Sequence, residues 1–209
     1  MPDFSFEKEA RAAGFAAVCG VDEAGAGPLC GPVYAAAVIL PENCVIEGLN
    51  DSKKLTEKKR EALYDVIRRR AVACAVASVD EREIDATDIL SARIRAMQLA
   101  IDALAVGADF ALIDGNRDRG RSASIVTPHR LIVKGDSLSI SIAAASVLAK
   151  VSRDRFVTQV LDKQYPQYGF ARHKGYGTVL HRAMYEKYGP CPAHRMTFLK
   201  KWERRSNDR

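Results

Sequence analysis

The chain has 209 residues, enough for one large domain or for a domain with a tail. Hydrophobic residues make up 47% of it, which excludes a globally disordered chain, and no run of about 18 or more apolar residues is present to span a membrane. The net charge of +6 suits a polyanionic partner without establishing one. In chain order, residues 17–23 and 32–40 read as two strands. They are joined by the turn Gly25-Ala26-Gly27-Pro28-Leu29-Cys30-Gly31-Pro32, short enough for antiparallel pairing. Residues 43–55 read as a loop. Thr56 is placed to cap a helix that begins Glu57-Lys58-Lys59 and carries Leu63, Val66 and Ile67 on its apolar face. Residues 71–79 form a third strand. Residues 88–106 form a helix, because Leu90, Ile94, Met97, Ile101 and Leu104 make one stripe, with Gly107 as its stop. A strand over 109–113, a polar loop over 115–122 and a strand over 125–133 follow. Strands alternating with helices from residue 71 onward predict parallel pairing in an α/β sheet. Residues 137–163 are helical, and Ala143, Ala144 and Ala145 allow a close approach to the sheet. From Gln164 the chain reads as a loop with one or two short helices, such as 178–188, and residues 200–209 are expected to fray.

Three apolar runs close on acids: the first on Asp22 and Glu23, the second on Asp114, the third on Asp136. Strands that end in acids, within a positively charged chain, point to a local need for negative charge. Hard divalent ions supply such a need, since Mg²⁺ and Mn²⁺ prefer carboxylate oxygens. Carboxylates from different strands, meeting at one sheet edge, can hold two such ions for phosphodiester hydrolysis. Each acid also has an ordinary reading. Asp22 and Glu23 can be a solvated strand end, Asp114-Gly115-Asn116 a turn, and Asp136 the cap of a helix starting near Ser137. Asp154 reads better as an ion-pair partner within its helix than as a ligand.

Other chemistries lack their motifs. The glycines after Glu23 are not followed by Gly-Lys-Ser/Thr, so there is no P-loop. A strand rather than a helix follows them, which excludes a dinucleotide fingerprint. His129, His173, His181 and His194 have no H-x-x-x-H pairing for zinc, and no G-x-S-x-G elbow is present. The five cysteines are odd in number without C-x-x-C spacing, which fits small buried side chains in a reducing cytosol. The first eight residues contain acids and no long apolar core, unlike a signal peptide. In His173-Lys174-Gly175-Tyr176-Gly177-Thr178 two glycines frame an aromatic beside basic residues. Such a tyrosine can stack on a sugar or base. On residues alone, a tyrosine packed under a loop is the slightly better reading.

Together these segments resemble ribonuclease HII, the type 2 ribonuclease H of bacteria. The matching pieces run in family order over about residues 18 to 200. They are Gly20 to Gly25, Gly27-Pro28-Leu29, Gly31-Pro32-Val33, Asp51-Ser52-Lys53-Lys54-Leu55, Asp114-Gly115-Asn116, Lys134-Gly135-Asp136, Ser141 to Asp154, Lys174 to Thr178, and Gly189-Pro190 to His194-Arg195. The resemblance implies an α/β chain of the ribonuclease H-like fold, a five-stranded mixed sheet flanked by helices with a helical C-terminal extension. It implies one catalytic domain over 1–209, with its core at about 15–163, a substrate-binding extension at about 164–202 and a frayed tail at 203–209. It also implies a monomeric, cytoplasmic endonuclease. This enzyme would cut RNA in RNA–DNA hybrids and at ribonucleotides embedded in duplex DNA, leaving 5′-phosphate and 3′-hydroxyl ends. By motif, Asp22, Glu23, Asp114 and Asp136 are the catalytic acids that hold Mn²⁺ or Mg²⁺. Tyr176 packs on the deoxyribose beside the junction, Lys53 lies in a substrate-contacting loop, and Gly25, Ala26 and Gly27 meet the ribonucleotide. At Ala26 the family carries arginine, so a guanidinium contact to phosphate is missing.

Two other readings are open from sequence. One is another carboxylate-metal nuclease on the same fold, such as a junction resolvase; the Gly25 loop and Lys174-Gly175-Tyr176-Gly177 argue against it. The other is a non-catalytic hybrid-binding module, suggested by Ala26. The four acids argue against that, because a mere binder gains nothing from negative charge facing phosphates.

Overall fold

The computed structural model describes residues 2–207. Its centre is β1 (Val18–Ala24), buried from residue 18 through 22. β2 (Val33–Ile39) pairs antiparallel with β1, as the short turn predicts, and sets Ala36 opposite Asp22. β2 alternates with the strand period of two. Val33, Ala35, Ala37 and Ile39 join one core layer, while Ala36 and Val38 join the other. α1 (Ser5–Ala12), which the sequence reading does not contain, packs Ala10 with Val18 of β1 and extends the core before residue 15.

β3 (Ala73–Val79) lies outside β2 and runs antiparallel to it, whereas element order predicts parallel pairing from residue 71 onward. The cause is where the chain re-enters the sheet. α2 (Glu57–Arg70), capped by Thr56 as expected, returns it to the end of β2. There the Val72 N–H donates to the Ile39 carbonyl at 2.9 Å, so β3 must run back along β2. A short helix α3 (Glu81–Ala86) and then α4 (Ile89–Asp102) carry the chain across one face to the far side of β1. β4 (Phe110–Asp114) pairs parallel with β1, and β5 (His129–Ile132) pairs parallel with β4. The sheet is therefore mixed and five-stranded, in the order β3-β2-β1-β4-β5.

The two faces are covered differently. On one, the Ile94, Met97 and Ile101 stripe of α4 is buried, each side chain contributing about 1.5–3 kcal/mol, with Leu104 beyond the helix end. On the other lies α5 (Ile140–Phe156), whose Ala143, Ala144 and Ala145 are fully buried. A Cβ at Gly20 would come within 2.2 Å of the backbone of Ser141 and Ile142. Only glycine in β1 lets this helix lie so near the strand, and the alanines complete the fit.

Boundaries shift for identifiable reasons. α4 stops at Asp102, before Gly107, with Ala103 as its cap. β5 starts at His129 because Pro128 has no N–H and the Val126 N–H goes to the Gln98 side chain at 2.9 Å. α5 is capped by Ser139 and not by Asp136, which lies in a separate 3₁₀ turn, Gly135–Ser137. Lys150 pairs with Asp154 at 2.8 Å within α5, the role expected for that acid. After α5 the chain makes a π turn (Val157–Leu161), α6 (Asp162–Gln164), α7 (Phe170–His173), α8 (Val179–Tyr188) and α9 (Met196–Asn207). α9 runs through most of the segment expected to fray; residues 208 and 209 lie outside the described residues. This C-terminal part has its own cluster, in which Tyr168, Phe170 and Leu161 pack on Cys30 of the glycine-rich loop. All five cysteines are free. Among the described residues, no helix is long and apolar enough to cross a membrane.

Candidate active site

β1 and β4 are neighbours and parallel, with Val21 opposite Ile113. The next residue of each strand is Asp22 or Asp114, so both acids emerge at the carboxyl end of the same strand pair. This edge is where open α/β sheets present ligand sites. Side-chain alternation then separates Asp22 from Glu23. Val21 packs in the α4 layer, so Asp22 points to the α5 face and Glu23 points to α4. There it forms an ion pair with Arg93. Asp114 accepts the Gly135 N–H at 2.7 Å, which ties the turn carrying Asp136 to the end of β4. Asp136, 4% exposed, faces the Lys53 ammonium at 3.6 Å.

The electrostatics show crowding. Burial raises the Asp22 carboxyl well above its ordinary range, and the charges of Glu23 and Asp114 push it further. Glu23 is raised by burial and by Asp114, against the pull of Arg93 and Lys53. Asp136 is raised by burial, by Asp114 and by Asp51. Burial works against the Lys53 ammonium, but Asp136, Asp22, Asp51 and Asp114 outweigh it and raise the group. All four sequence-assigned acids thus act on one another or on one shared lysine. Sequence reasoning missed Asp51 as part of this field and Arg93 as its partner. The Asp51-Ser52-Lys53 motif held the first signal, and nothing local in α4 marked the second.

The donor set is all oxygen from carboxylates, the chemistry that hard divalent ions accept. Glu23 also keeps one oxygen, Oε2, buried without a hydrogen-bond partner, a costly arrangement that a cation would relieve. Among the described residues, no three acid, histidine or cysteine side chains already close into a ligand cluster. The acids rest instead on Arg93 and Lys53, which supply positive charge at the edge. The residues fit a divalent ion in chemistry and placement. A cavity of about 40 Å³ between Arg93, Asp114 and Asn116 leaves room beside them for water.

The second wall of the site is the Gly25–Pro32 loop, and two buried arginines hold it. Arg195 donates to the carbonyls of Gly25 (2.7 Å), Pro28 (3.0 Å), Gly31 (2.9 Å) and Ala26 (3.2 Å). Arg153 donates to those of Cys30, Pro32 and Lys174. Neither was singled out as a site residue, because an arginine that binds carbonyls from another segment leaves no periodic trace. Gly25 has φ +100°, and a Cβ there would strike the Arg153 side chain at 2.2 Å, so this glycine is required twice over. Tyr176 is 44% exposed and borders the loop; a Cβ at Gly27 would sit 3.7 Å from its ring. The structure therefore brings Gly25, Ala26, Gly27 and Tyr176 together. Lys53 stands on the acid side, in the 3₁₀ turn Ser52–Lys54.

A five-stranded mixed sheet with helices on both faces, and acids at the carboxyl ends of its central parallel strands, defines a hydrolase of the ribonuclease H-like fold. Residues 19–201 match the family model described as Ribonuclease HII. The chain belongs to the ribonuclease HII family. It is 53% identical over 198 residues to a ribonuclease HII of Sinorhizobium fredii, covering 95% of this chain and 84% of the relative. It is 52% identical over 195 residues to one of Acetivibrio thermocellus, covering 93% and 74%. Among solved structures it resembles the ribonuclease H2 of Pyrococcus horikoshii at a TM-score of 0.70 and 25% identity, over 87% of this chain and 93% of that one. The fold is shared with Bst-RNase HIII in complex with Mn²⁺, at a TM-score of 0.63 and 20% identity over 83% and 63% of the two chains. The chain is accordingly a ribonuclease H, an endonuclease of RNA–DNA hybrids in a family that depends on divalent metal.

Proposed function

We infer that Asp22, Glu23, Asp114 and Asp136 are the catalytic acids and hold Mg²⁺ or Mn²⁺. On this reading the enzyme cuts both RNA–DNA hybrids and duplex DNA carrying a single ribonucleotide, leaving 5′-phosphate and 3′-hydroxyl ends. The observation that carries this reading is the shared edge of β1 and β4, where Asp22 and Asp114 emerge together and Glu23 keeps an unpaired buried oxygen. Held by these acids, divalent ions would supply activation of water and charge to offset the attacked phosphate. The protein's own groups do the rest. Asp22 and Asp114 face the reacting phosphate from rigid strand ends, which limits the reorganisation needed on binding. Lys53, whose side chain is largely exposed, offers its ammonium to the phosphate backbone. Gly25 and Gly27 let main chain approach the 2′-hydroxyl, the mark that separates the cut strand from DNA. Tyr176 offers an exposed ring for the sugar next to the junction.

Ala26 makes this junction grip weaker than an arginine would, because its side chain cannot reach a phosphate; only its backbone is engaged, by Arg195. The helical part from about 164 to 202 serves as the substrate-binding extension, supported by its contacts with the Gly25–Pro32 loop. We place the enzyme in the cytoplasm as a monomer, in keeping with its free cysteines.

The test is cleavage of three labelled duplexes: one with a single ribonucleotide, an RNA–DNA hybrid, and an all-DNA control. Each is run with Mg²⁺, Mn²⁺ or chelator. Both ribonucleotide substrates should be cut to 5′-phosphate products only with metal, and all-DNA should stay intact. Cleavage that survives chelation, or cutting of the all-DNA control, overturns the reading. Metal-independent binding with no cleavage would instead indicate a hybrid-binding module.

A further inference from the structure

Three of the four histidines, His173, His181 and His194, are buried together in the C-terminal part, and none takes part in the reaction described above. His173 and His181 stack with ring centroids 4.4 Å apart, and His194 lies 5.3 Å from His181. Phe170 presents its ring to all three. This is an unusual amount of imidazole in an apolar cluster.

Hydrogen bonds assign every ring proton. His181 Nδ1 lies 3.0 Å from the Tyr176 carbonyl, which can only accept, so Nδ1 carries the proton. Its Nε2 must then accept, and the partner, 3.1 Å away, is Nε2 of His194. His194 can donate there because its Nδ1 already accepts the Cys191 N–H at 2.9 Å. His173 accepts the Gly175 N–H at Nδ1 and donates from Nε2 to the Tyr168 carbonyl. One set of protons satisfies all six nitrogens with three neutral rings. Adding a proton to His181 or His194 would set two N–H groups against each other or against Cys191. Burial favours the same state, since it pushes His181 and His194 down to about 4 and lowers His173. The surrounding titratable groups are few. Asp162 acts on His173, the Cys191 thiol lies 3.2 Å from His194, and the rings of Tyr168 and Tyr185 stand against His194. Lys174 turns to the Ala171 carbonyl and Glu57.

Two of these rings reach the main chain around Tyr176. The Tyr176 carbonyl accepts from His181 as well as from the Thr178 N–H at 2.8 Å, the preceding Gly175 N–H meets the His173 ring, and the Tyr176 N–H donates to the His173 main-chain carbonyl at 2.9 Å. Tyr176 is thus anchored at both ends of its backbone while its ring stays half exposed beside Gly27. Ordering a loop before binding removes an entropy cost from recognition.

We propose that His181 is a positioning residue for ribonucleotide recognition: neutral, protonated on Nδ1 and kept so by His194, it fixes the Tyr176 backbone so that the ring stands ready to stack. The proposal rests on Tyr176 being a substrate-reading residue. It is tested by kinetics on a single-ribonucleotide duplex with wild type, Tyr176→Ala, His181→Phe, the double variant and His181→Asn. Phenylalanine keeps the ring stack and removes both hydrogen bonds, whereas the asparagine amide can donate from near the Nδ1 position. His181→Phe should lower kcat/KM about tenfold, mainly through KM, and should add nothing in the Tyr176→Ala background. His181→Asn should recover most of the loss. Additive losses in the double variant, or wild-type kcat/KM in His181→Phe beside an impaired Tyr176→Ala, would overturn the proposal. An unimpaired Tyr176→Ala would overturn the reading of Tyr176 itself, a separate outcome. Should near-UV circular dichroism show His181→Phe unfolded, His181→Asn decides: near-wild-type KM supports the proposal, and KM at the Tyr176→Ala level refutes it.

Discussion

At the sheet edge, backbone register places Asp22, Glu23 and Asp114, a turn tied to Asp114 adds Asp136, and the side chains then crowd one another. In the Gly25–Pro32 loop and the Tyr176 segment beside it there is little regular backbone, and side chains do the placing. Arg153 and Arg195 bind carbonyls, and neutral histidines bind the Tyr176 peptide. The acid edge is strained by like charge and sits in a rigid frame. The loop wall is satisfied in its hydrogen bonds and depends on a few buried groups. Removing a charge should therefore have opposite effects on stability in the two places. A site that must bind cations between phosphates can tolerate repulsion only where the scaffold does not depend on relieving it.

Asp22→Asn tests the first half of this contrast with the largest expected effect. It should reduce cleavage of the single-ribonucleotide duplex by more than about a thousandfold, on the scale of losing a catalytic group. It should also raise the thermal midpoint measured in chelator, because a buried carboxylate pressed by Glu23 and Asp114 is replaced by a neutral amide. Near-normal turnover at saturating Mg²⁺ would remove Asp22 from the catalytic acids. A lowered midpoint would remove the claim of repulsion.

Arg195→Met is the counterpart. The side chain is fully buried and serves the carbonyls of Gly25, Ala26, Pro28 and Gly31. Methionine fills much of the volume and leaves those acceptors unpaired. A loss of roughly 3–5 kcal/mol in denaturant unfolding is expected, from about 1–3 kcal/mol per buried unsatisfied group with partial relaxation. A change below about 1 kcal/mol would mean that the loop does not depend on this arginine.

Ala26→Arg gives the smallest effect and sharpens the comparison at its border. Ala26 lies between the two walls, with its carbonyl held by Arg195 and its side chain unable to reach substrate charge. Arginine there should raise kcat/KM on the single-ribonucleotide duplex about tenfold, equivalent to about 1.4 kcal/mol, chiefly at low substrate. Binding should also become more salt-dependent, since one more cation displaces a counterion. With no gain and no change of salt slope across a salt series, another basic residue already supplies that contact.

The acid edge was legible in the sequence because its logic is local. Apolar runs that end in Asp22 and Asp114 announce strand ends, and a strand end in a parallel pair delivers its side chain to a predictable place. The stripe over Ile94, Met97 and Ile101 and the Thr56 cap were legible for the same reason: each depends on residues within a few positions of one another. Asp136 was placed by motif, but its ordinary reading as a helix cap was wrong, because Ser139 lies nearer the first turn and takes that role. The direction of β3 was misread because strand order follows where α2 returns the chain, a fact about the whole sheet and not about residues 71–79.

By itself, then, the amino-acid sequence determined most of the elements, the four acids, the small residues that let α5 lie on β1, and, through motif order, the family. Only the tertiary structure decided which cations answer those acids, with Arg93 on Glu23 and Lys53 on Asp136. It alone decided that Arg153 and Arg195 are internal struts, and that His173, His181 and His194 form one neutral cluster under Tyr176. The physical reason is range. Propensity, periodicity and capping act over about one helical turn or two strand residues, and can be read along the chain. The arginine–carbonyl and histidine–histidine bonds join segments separated by 13 to 170 positions, and they form because burial removes water and leaves each polar group only protein partners.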